Sequence, residues 1–229
     1  MTTTSTIRQH VEQFETWRKE NHSAEQYAKG YTDDPSYPFW NAVESDLEAL
    51  FKSGTLEKLP AEEKEGLIYL IARNWDIGNI INWLTISGVE PISYLGCTES
   101  DFLHLCPIAL RSKEEDAKCQ FVKVLPFLTT ISKTEIRPLL LDFYHNGSAY
   151  TKRMALFALQ AVKYPELEDL VQKSWADEGD EFYKIACLNV LHALKCKNLA
   201  TYIKEAEGYK EWDFLQENVT RIKEEANIS

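Results

Sequence analysis

The chain has 229 residues, 44% of them hydrophobic, enough for a packed core and too many for a disordered chain. Its formal net charge of −11 opposes binding to a phosphate backbone, which needs clustered Lys and Arg to displace counterions. The charge is uneven: residues 1–110 carry eight Lys and Arg against seventeen Asp and Glu, a net of −9, whereas residues 111–229 carry seventeen against nineteen, a net of −2.

Taken in chain order, nearly every segment has helical spacing. Ile7, Val11, Phe14 and Trp17 form one stripe from about Thr4 to Asn21, and the polar stretch Gly30 to Pro38 reads as a loop. Trp40, Val43, Leu47, Leu50 and Phe51 predict a second amphipathic helix closed by Ser53-Gly54. Pro60 opens a third, with Glu62, Glu63 and Glu65 expected in its first turn, where the helix dipole favours negative charge, and Leu67, Leu70, Ile71 and Trp75 facing inward. A fourth is predicted from Ile77 to Ser87, antiparallel to the third, with Ile80, Ile81 and Leu84 inward.

Thr98-Glu99-Ser100-Asp101 offers caps for a short helix through Phe102, Leu103 and Leu105. Ser112 begins another, which Pro126 is expected to kink or end. Thr134 to His145 follows, then a register that returns every 32 residues. Tyr150, Ala155, Leu156, Leu159, Ala161, Val162, Leu167 and Val171 are answered by Phe182, Cys187, Leu188, Leu191, Ala193, Leu194, Leu199 and Ile203. A last helix from Trp212 to Ala226 ends in charged residues, as a solvent-facing cap does. No strand pattern stands out.

The run Thr151 to Val162, followed by Pro165-Glu166-Leu167 with Leu170 and Val171, resembles one HEAT-type repeat. Trp175-Ala176-Asp177-Glu178 then looks like the acidic turn between repeats, and Tyr183-Lys184-Ile185-Ala186 restarts the cycle. The resemblance is to short HEAT-like repeats of the phycobilisome-lyase type and is strongest over 115–207. It implies an all-α fold, a right-handed superhelical array of antiparallel helix pairs. The expected organisation is one helical-repeat domain over 1–229, irregular over 1–112 and regular over 113–229. It also implies a scaffold whose concave face binds another macromolecule.

No chemistry-bearing constellation emerges. Cys97, His104, Cys106 and Cys119 lack the paired spacing of a zinc site, and the five Cys fit free thiols in a reducing cytoplasm. His145 and His192 have no nucleophile at a catalytic spacing, and no glycine-rich phosphate loop is present. No signal peptide and no membrane-length apolar run is visible. No enzyme activity, cofactor or metal is therefore expected.

The expectation is a cytoplasmic, non-catalytic scaffold, monomeric when free, that holds a basic protein partner rather than nucleic acid or membrane. An immunity- or antitoxin-like inhibitor of a toxin domain is the concrete version. Alternatives are a HEAT-like enzyme of the DNA-glycosylase or chromophore-lyase type, or an adaptor in a larger assembly. The candidate partner-binding residues fall in three sets. Glu62, Glu63 and Glu65 belong to the acidic half. Glu166, Asp169, Gln172, Asn198, Thr201 and Glu205 form an exposed row on the second helix of each repeat. Trp83, Trp175, Tyr209 and Trp212 lie off or at the margin of the apolar stripes.

Overall fold

The computed structural model describes residues 6–28, 34–74, 78–84, 97–177 and 179–228. Among these residues the fold is all-helical, with thirteen α-helices and no strand. The chain divides into two compact units, residues 1–131 and 132–229.

The first unit contains α1 (Thr6–Asn21), α2 (Ala24–Ala28), α3 (Trp40–Lys52), α4 (Ala61–Arg73), α5 (Asn79–Trp83), α6 (Glu99–Arg111) and α7 (Glu115–Val124). Its hub is α4, which packs on α1, α6 and α7. Five consecutive-turn residues of α4, Leu67, Ile68, Leu70, Ile71 and Ala72, are buried, so the helix has core on more than one side. Gly66 sets the approach of α1: a Cβ there would lie 2.9 Å from Ile7 Cγ2. The helix accepts the cost of a mid-helix glycine in exchange for that close contact.

Polar side chains stitch this unit together. Asn74 accepts a hydrogen bond from the Ile80 N–H at 3.2 Å, and Asn79 donates to Glu44 at 3.1 Å, joining α3, α4 and α5. Gln120 of α7 donates to the Ile71 carbonyl of α4 at 2.8 Å. The largest such knot is Glu99, the first residue of α6. Its buried carboxylate accepts from the N–H and hydroxyl of Thr129, the N–H and hydroxyl of Thr130, and the N–H of Ile131. Burial pushes its carboxyl up, but those donors outweigh burial and hold it below the usual range.

The second unit contains α8 (Lys133–Asn146), α9 (Ala149–Ala161), α10 (Leu167–Asp177), α11 (Glu181–Ala193), α12 (Leu199–Ala206) and α13 (Asp213–Ala226). Helices α9, α11 and α13 pack side by side. Helix α10 packs on α9 and α11, α12 packs on α11 and α13, and α8 covers α9. The 32-residue register extends into the backbone. Ser148 and Asp180 cap α9 and α11 by accepting from Thr151 N–H (3.3 Å) and Tyr183 N–H (2.8 Å). Lys163, Lys195 and Asn227 all sit in the left-handed region, at φ of 52°, 55° and 54°. Each ends its helix with the same pair of bonds. Tyr164, Cys196 and Ile228 donate to Leu159, Leu191 and Lys223 carbonyls, while Lys163, Lys195 and Asn227 donate to Gln160, His192 and Glu224.

So α13 is a third copy of the first repeat helix, one more than the apolar register predicts. Its core column matches: Thr151, Tyr183 and Leu215 are buried, as are Ala155, Cys187 and Val219. Its outer column does not. Leu156 and Leu188 are buried, but Thr220 in their place is exposed, which hid the third copy from apolar matching.

Other boundaries move. Helix α7 starts at Glu115, not Ser112, and ends at Val124, where a 3-10 turn over Leu125–Phe127 absorbs Pro126 as expected. Among the cap choices offered by Thr98 to Asp101 the structure uses Thr98, which forms a capping box with Asp101, and the helix, expected to be short, runs on to Arg111 through Pro107. Trp175, Ala176 and Asp177 are the end of α10 rather than a turn between repeats, and Glu178 lies outside the described residues. Of the fourth predicted helix, α5 covers Asn79–Trp83; Ile77 and residues 85–87 lie outside the described residues, as does Trp75 of the third.

Candidate functional site

The acidic candidates line a groove in the first unit, walled by α1, α3 and α4. It has a volume of about 1270 Å³, beyond the ~300–1,000 Å³ of typical small-ligand pockets and suited to a peptide segment. Ile7, Val11, Leu47, Leu50 and Leu59 give it an apolar floor. Glu62, Glu63 and Glu65 of α4 and Asp46 of α3 supply carboxylates, against one cation, Arg8, which pairs with Glu12 at 3.0 Å.

Local sequence explains the placement. Pro60 precedes α4 in extended backbone at φ −56°, so Glu62 and Glu63 fall in its first turn, where negative charge is favoured. Glu65 stands one residue past that turn, a correction to the first-turn expectation, and is exposed with Glu62. Glu63 is half-buried and has one carboxylate oxygen that is buried and accepts no hydrogen bond. Such an oxygen carries a desolvation cost that a donor entering the groove would offset. Asp46 accepts from the buried His10 Nε2 at 2.9 Å, which fixes the α1–α3 side of the groove.

Tyr69, also in the lining, opens a charge network. Its hydroxyl donates to Glu15, whose two oxygens also take three hydrogen bonds from Arg18, the shortest 2.6 Å. Burial pushes Glu15 up, but the Arg18 and Tyr69 hydrogen bonds outweigh burial and hold it below its ordinary value. Arg73 stacks over the Tyr69 ring at 5.1 Å, bonds Glu114 and lies 3.8 Å from Asp34. Glu114 moves the other way: burial raises it, against the pull of Arg73. Two arginines beside the groove are thus engaged by the protein's own carboxylates.

In the second unit the predicted row divides. Glu166, Asp169, Asn198, Thr201 and Glu205 are exposed. Gln172 is half-buried instead, donating to Glu168 at 3.1 Å and to Cys196 Sγ at 3.8 Å. The reading of Trp175 as a surface aromatic is corrected: it is 4% exposed, and its indole N–H donates to Glu205 at 2.7 Å. Its apolar area is spent inside the unit, and Glu205 is held by it. Tyr209 and Trp212 are half-buried and stack on each other at 4.4 Å. Trp83 is half-buried against Phe51 at 6.4 Å.

The residue that explains this cluster is Lys184, which sequence reasoning passed over. It is 4% exposed, donates to the Trp175 carbonyl, and lies 4.6 Å over the Trp175 ring and 5.9 Å from that of Tyr209. A cation at the C-terminal end of α10 meets the negative pole of that helix. At +32 residues, Gln216 donates to the carbonyl of Ala206, the last residue of α12, and to that of Tyr209 beyond it, so the same column closes both second helices. The signal was present in the register, as a polar residue at 184 and 216, but apolar matching ignores it.

The thiols are not poised for chemistry. Burial pushes Cys97 up to about 12 and raises Cys106 and Cys196, the last also through its bond to Glu168. Among the described residues no group of three or more His, Cys, Asp or Glu is placed to hold a metal, and no helix is long and apolar enough to cross a membrane. No family model matches the chain, and no curated protein and no solved structure matches it.

Proposed function

We propose that the protein is a non-catalytic scaffold that holds a basic protein partner in the groove of α1, α3 and α4. The observation that carries this reading is the apolar floor beside Glu62, Glu63, Glu65 and Asp46, with a buried Glu63 oxygen lacking a donor. An amphipathic segment with Lys or Arg along one edge satisfies both surfaces. Its narrower form is an immunity- or antitoxin-like inhibitor of a basic toxin domain, acting in the cytoplasm as a monomer until it meets its target.

The HEAT-like reading is the matching proposal for the fold: a right-handed superhelical solenoid. Its support is the return of the same helix start near 148, 180 and 212 and the same left-handed stop at 163, 195 and 227.

The test is a titration with a dye-labelled basic amphipathic helical peptide and with its acidic counterpart. The basic peptide is expected to bind, more weakly as salt rises. Reversing Glu62, Glu63 and Glu65 to Lys is expected to cut its affinity about tenfold or more. Equal binding of the acidic peptide, or unchanged binding after reversal, overturns the reading.

A further inference from the structure

The second unit carries an aromatic ladder, exposed at two of its three rungs, that the groove reading does not use. Tyr150, Phe182 and Phe214 are each the second residue of α9, α11 and α13, at steps of 32. Of these, Phe182 and Phe214 are exposed and Tyr150 is half-buried, while the third residues of the same helices, Thr151, Tyr183 and Leu215, are fully buried. Phe182 is 44% exposed and Phe214 57% exposed, with ring centroids 5.5 Å apart. Adjacent exposed phenylalanines at a repeated position differ from the single apolar residues scattered over any surface.

The ladder displays its own mode of occupation. The Arg153 guanidinium lies 4.6 Å from the Tyr150 ring and 5.3 Å from that of Phe182, so an internal arginine fills the first step. At the same place in the next two helices the column reads Ile185 and then Glu217, passing from basic through neutral to acidic. The first positions of the helices follow the same trend, from Ala149 to Glu181 to Asp213. Glu181 is used within the fold: its carboxylate accepts from the Leu215 N–H at 3.0 Å, replacing the side-chain cap that Trp212 does not provide to α13. Asp213 and Glu217 are exposed on either side of Phe214.

We propose that Phe182 and Phe214, flanked by Asp213 and Glu217, are a docking strip for an arginine-bearing peptide segment. Its guanidinium stacks on Phe214 as Arg153 stacks on Tyr150, with Glu217 holding the charge. A planar guanidinium gains from stacking and from the carboxylate together, which the compact ammonium of lysine does not. Carboxylates at this end repel nucleic-acid phosphates, so a peptide is the fitting occupant. The strip lies within the second unit and stands or falls independently of the groove.

The experiment measures anisotropy of dye-labelled, end-capped hexa-arginine and hexa-lysine, peptides of equal charge, and reads Phe ring resonances of the labelled protein. Hexa-arginine is expected to bind about fivefold tighter than hexa-lysine and to shift the Phe182 and Phe214 signals. Phe214→Ala is expected to remove that preference, Glu217→Gln to weaken hexa-arginine by about fivefold, and Phe214→Tyr to restore binding. Phe214 is more than half exposed, so the variant keeps the fold, checked by far-UV circular dichroism. The Lys reversals of Glu62, Glu63 and Glu65 are expected to lower both peptides alike and keep the preference. Equal affinity for the two peptides, or a preference that survives Phe214→Ala, overturns the proposal; loss of the preference only in the groove reversals assigns it to the groove instead.

Discussion

The two units solve the same problem, a helical core, by different means. In the second unit the backbone repeats: helix ends at 163, 195 and 227 share one conformation and one pair of hydrogen bonds, and one polar column closes the second helices. Among the described residues of the first unit no such recurrence organises the packing. Long-range side-chain bonds do so, from Glu99, Gln120, Asn74 and Arg73. A repeated unit distributes stability over many equivalent small terms, whereas an irregular one concentrates it in a few buried polar knots.

That contrast can be broken at its strongest point first. Glu99→Ala leaves the Thr129, Thr130 and Ile131 donors without their acceptor and is expected to cost about 3–4 kcal/mol in urea unfolding of the intact chain. Its folded carboxyl is held below the unfolded value, so its contribution is present above the ordinary carboxylate range and is lost as pH falls through the folded value. Wild type should therefore lose stability in that acid window, and Glu99→Ala should lose less. A wild-type loss no larger than the variant's would remove Glu99 as the knot.

Lys184→Ala comes next. It uncaps α10 and strips the cation from the Trp175 ring, for an expected cost of about 2–3 kcal/mol. Near-UV circular dichroism should change, because Trp175 and Tyr209 lose a packed neighbour.

A paired substitution then tests how far the repeats are equivalent. A Cβ at Gly147 would strike the Thr151 side chain and lie 2.7 Å from the Phe143 carbonyl oxygen. Gly147→Ala is expected to cost about 2 kcal/mol by overpacking. At Gly179, its partner at +32, nothing lies within 4 Å, so Gly179→Ala is expected to be neutral or slightly stabilising. The thermal midpoint should therefore fall in Gly147→Ala and stay unchanged or rise slightly in Gly179→Ala.

The smallest effect is a gain. Lys163 and Lys195 hold left-handed backbone that glycine adopts at no steric cost. Lys163→Gly or Lys195→Gly is expected to raise stability by about 0.5–1 kcal/mol, and Asn227→Gly by less, since asparagine already tolerates this region. Denaturant midpoints that fall in the lysine variants would contradict the shared stop geometry.

Much of the helical content was legible because burial of one face writes a 3.6-residue period into the sequence. Phe14, Leu47, Leu67 and Ile80 are all buried where their stripes predict. The Thr98 cap, the Pro60 start and the Pro126 stop were also readable, because each acts through its own backbone within a few residues. The 32-residue register was visible between α9 and α11. It was lost at α13, where the outer face turns polar, and at Lys163 and Lys195, whose residue type does not announce left-handed backbone.

The candidate sites were legible only in part. Glu62, Glu63 and Glu65 could be seen as a cluster, but that Ile7, Leu47 and Leu59 come to lie beside them depends on how closely α1 meets Gly66. Trp175 follows Leu167 and Val171 at steps of four on α10 and is buried with them, its indole N–H on Glu205 and its ring beside Lys184; with the helix expected to end before it, that continuation of the stripe went unread. The sequence by itself determined which segments are helices, where several begin and end, and that part of the chain repeats, since those choices are made among residues a few positions apart. Tertiary structure alone decided which polar groups are buried, which aromatics remain outside and where acidic and apolar surfaces meet. A buried charge or an exposed ring is defined by neighbours some 30 to 40 residues away, as between Glu99 and Thr129 or Arg73 and Glu114, and no local pattern encodes that distance.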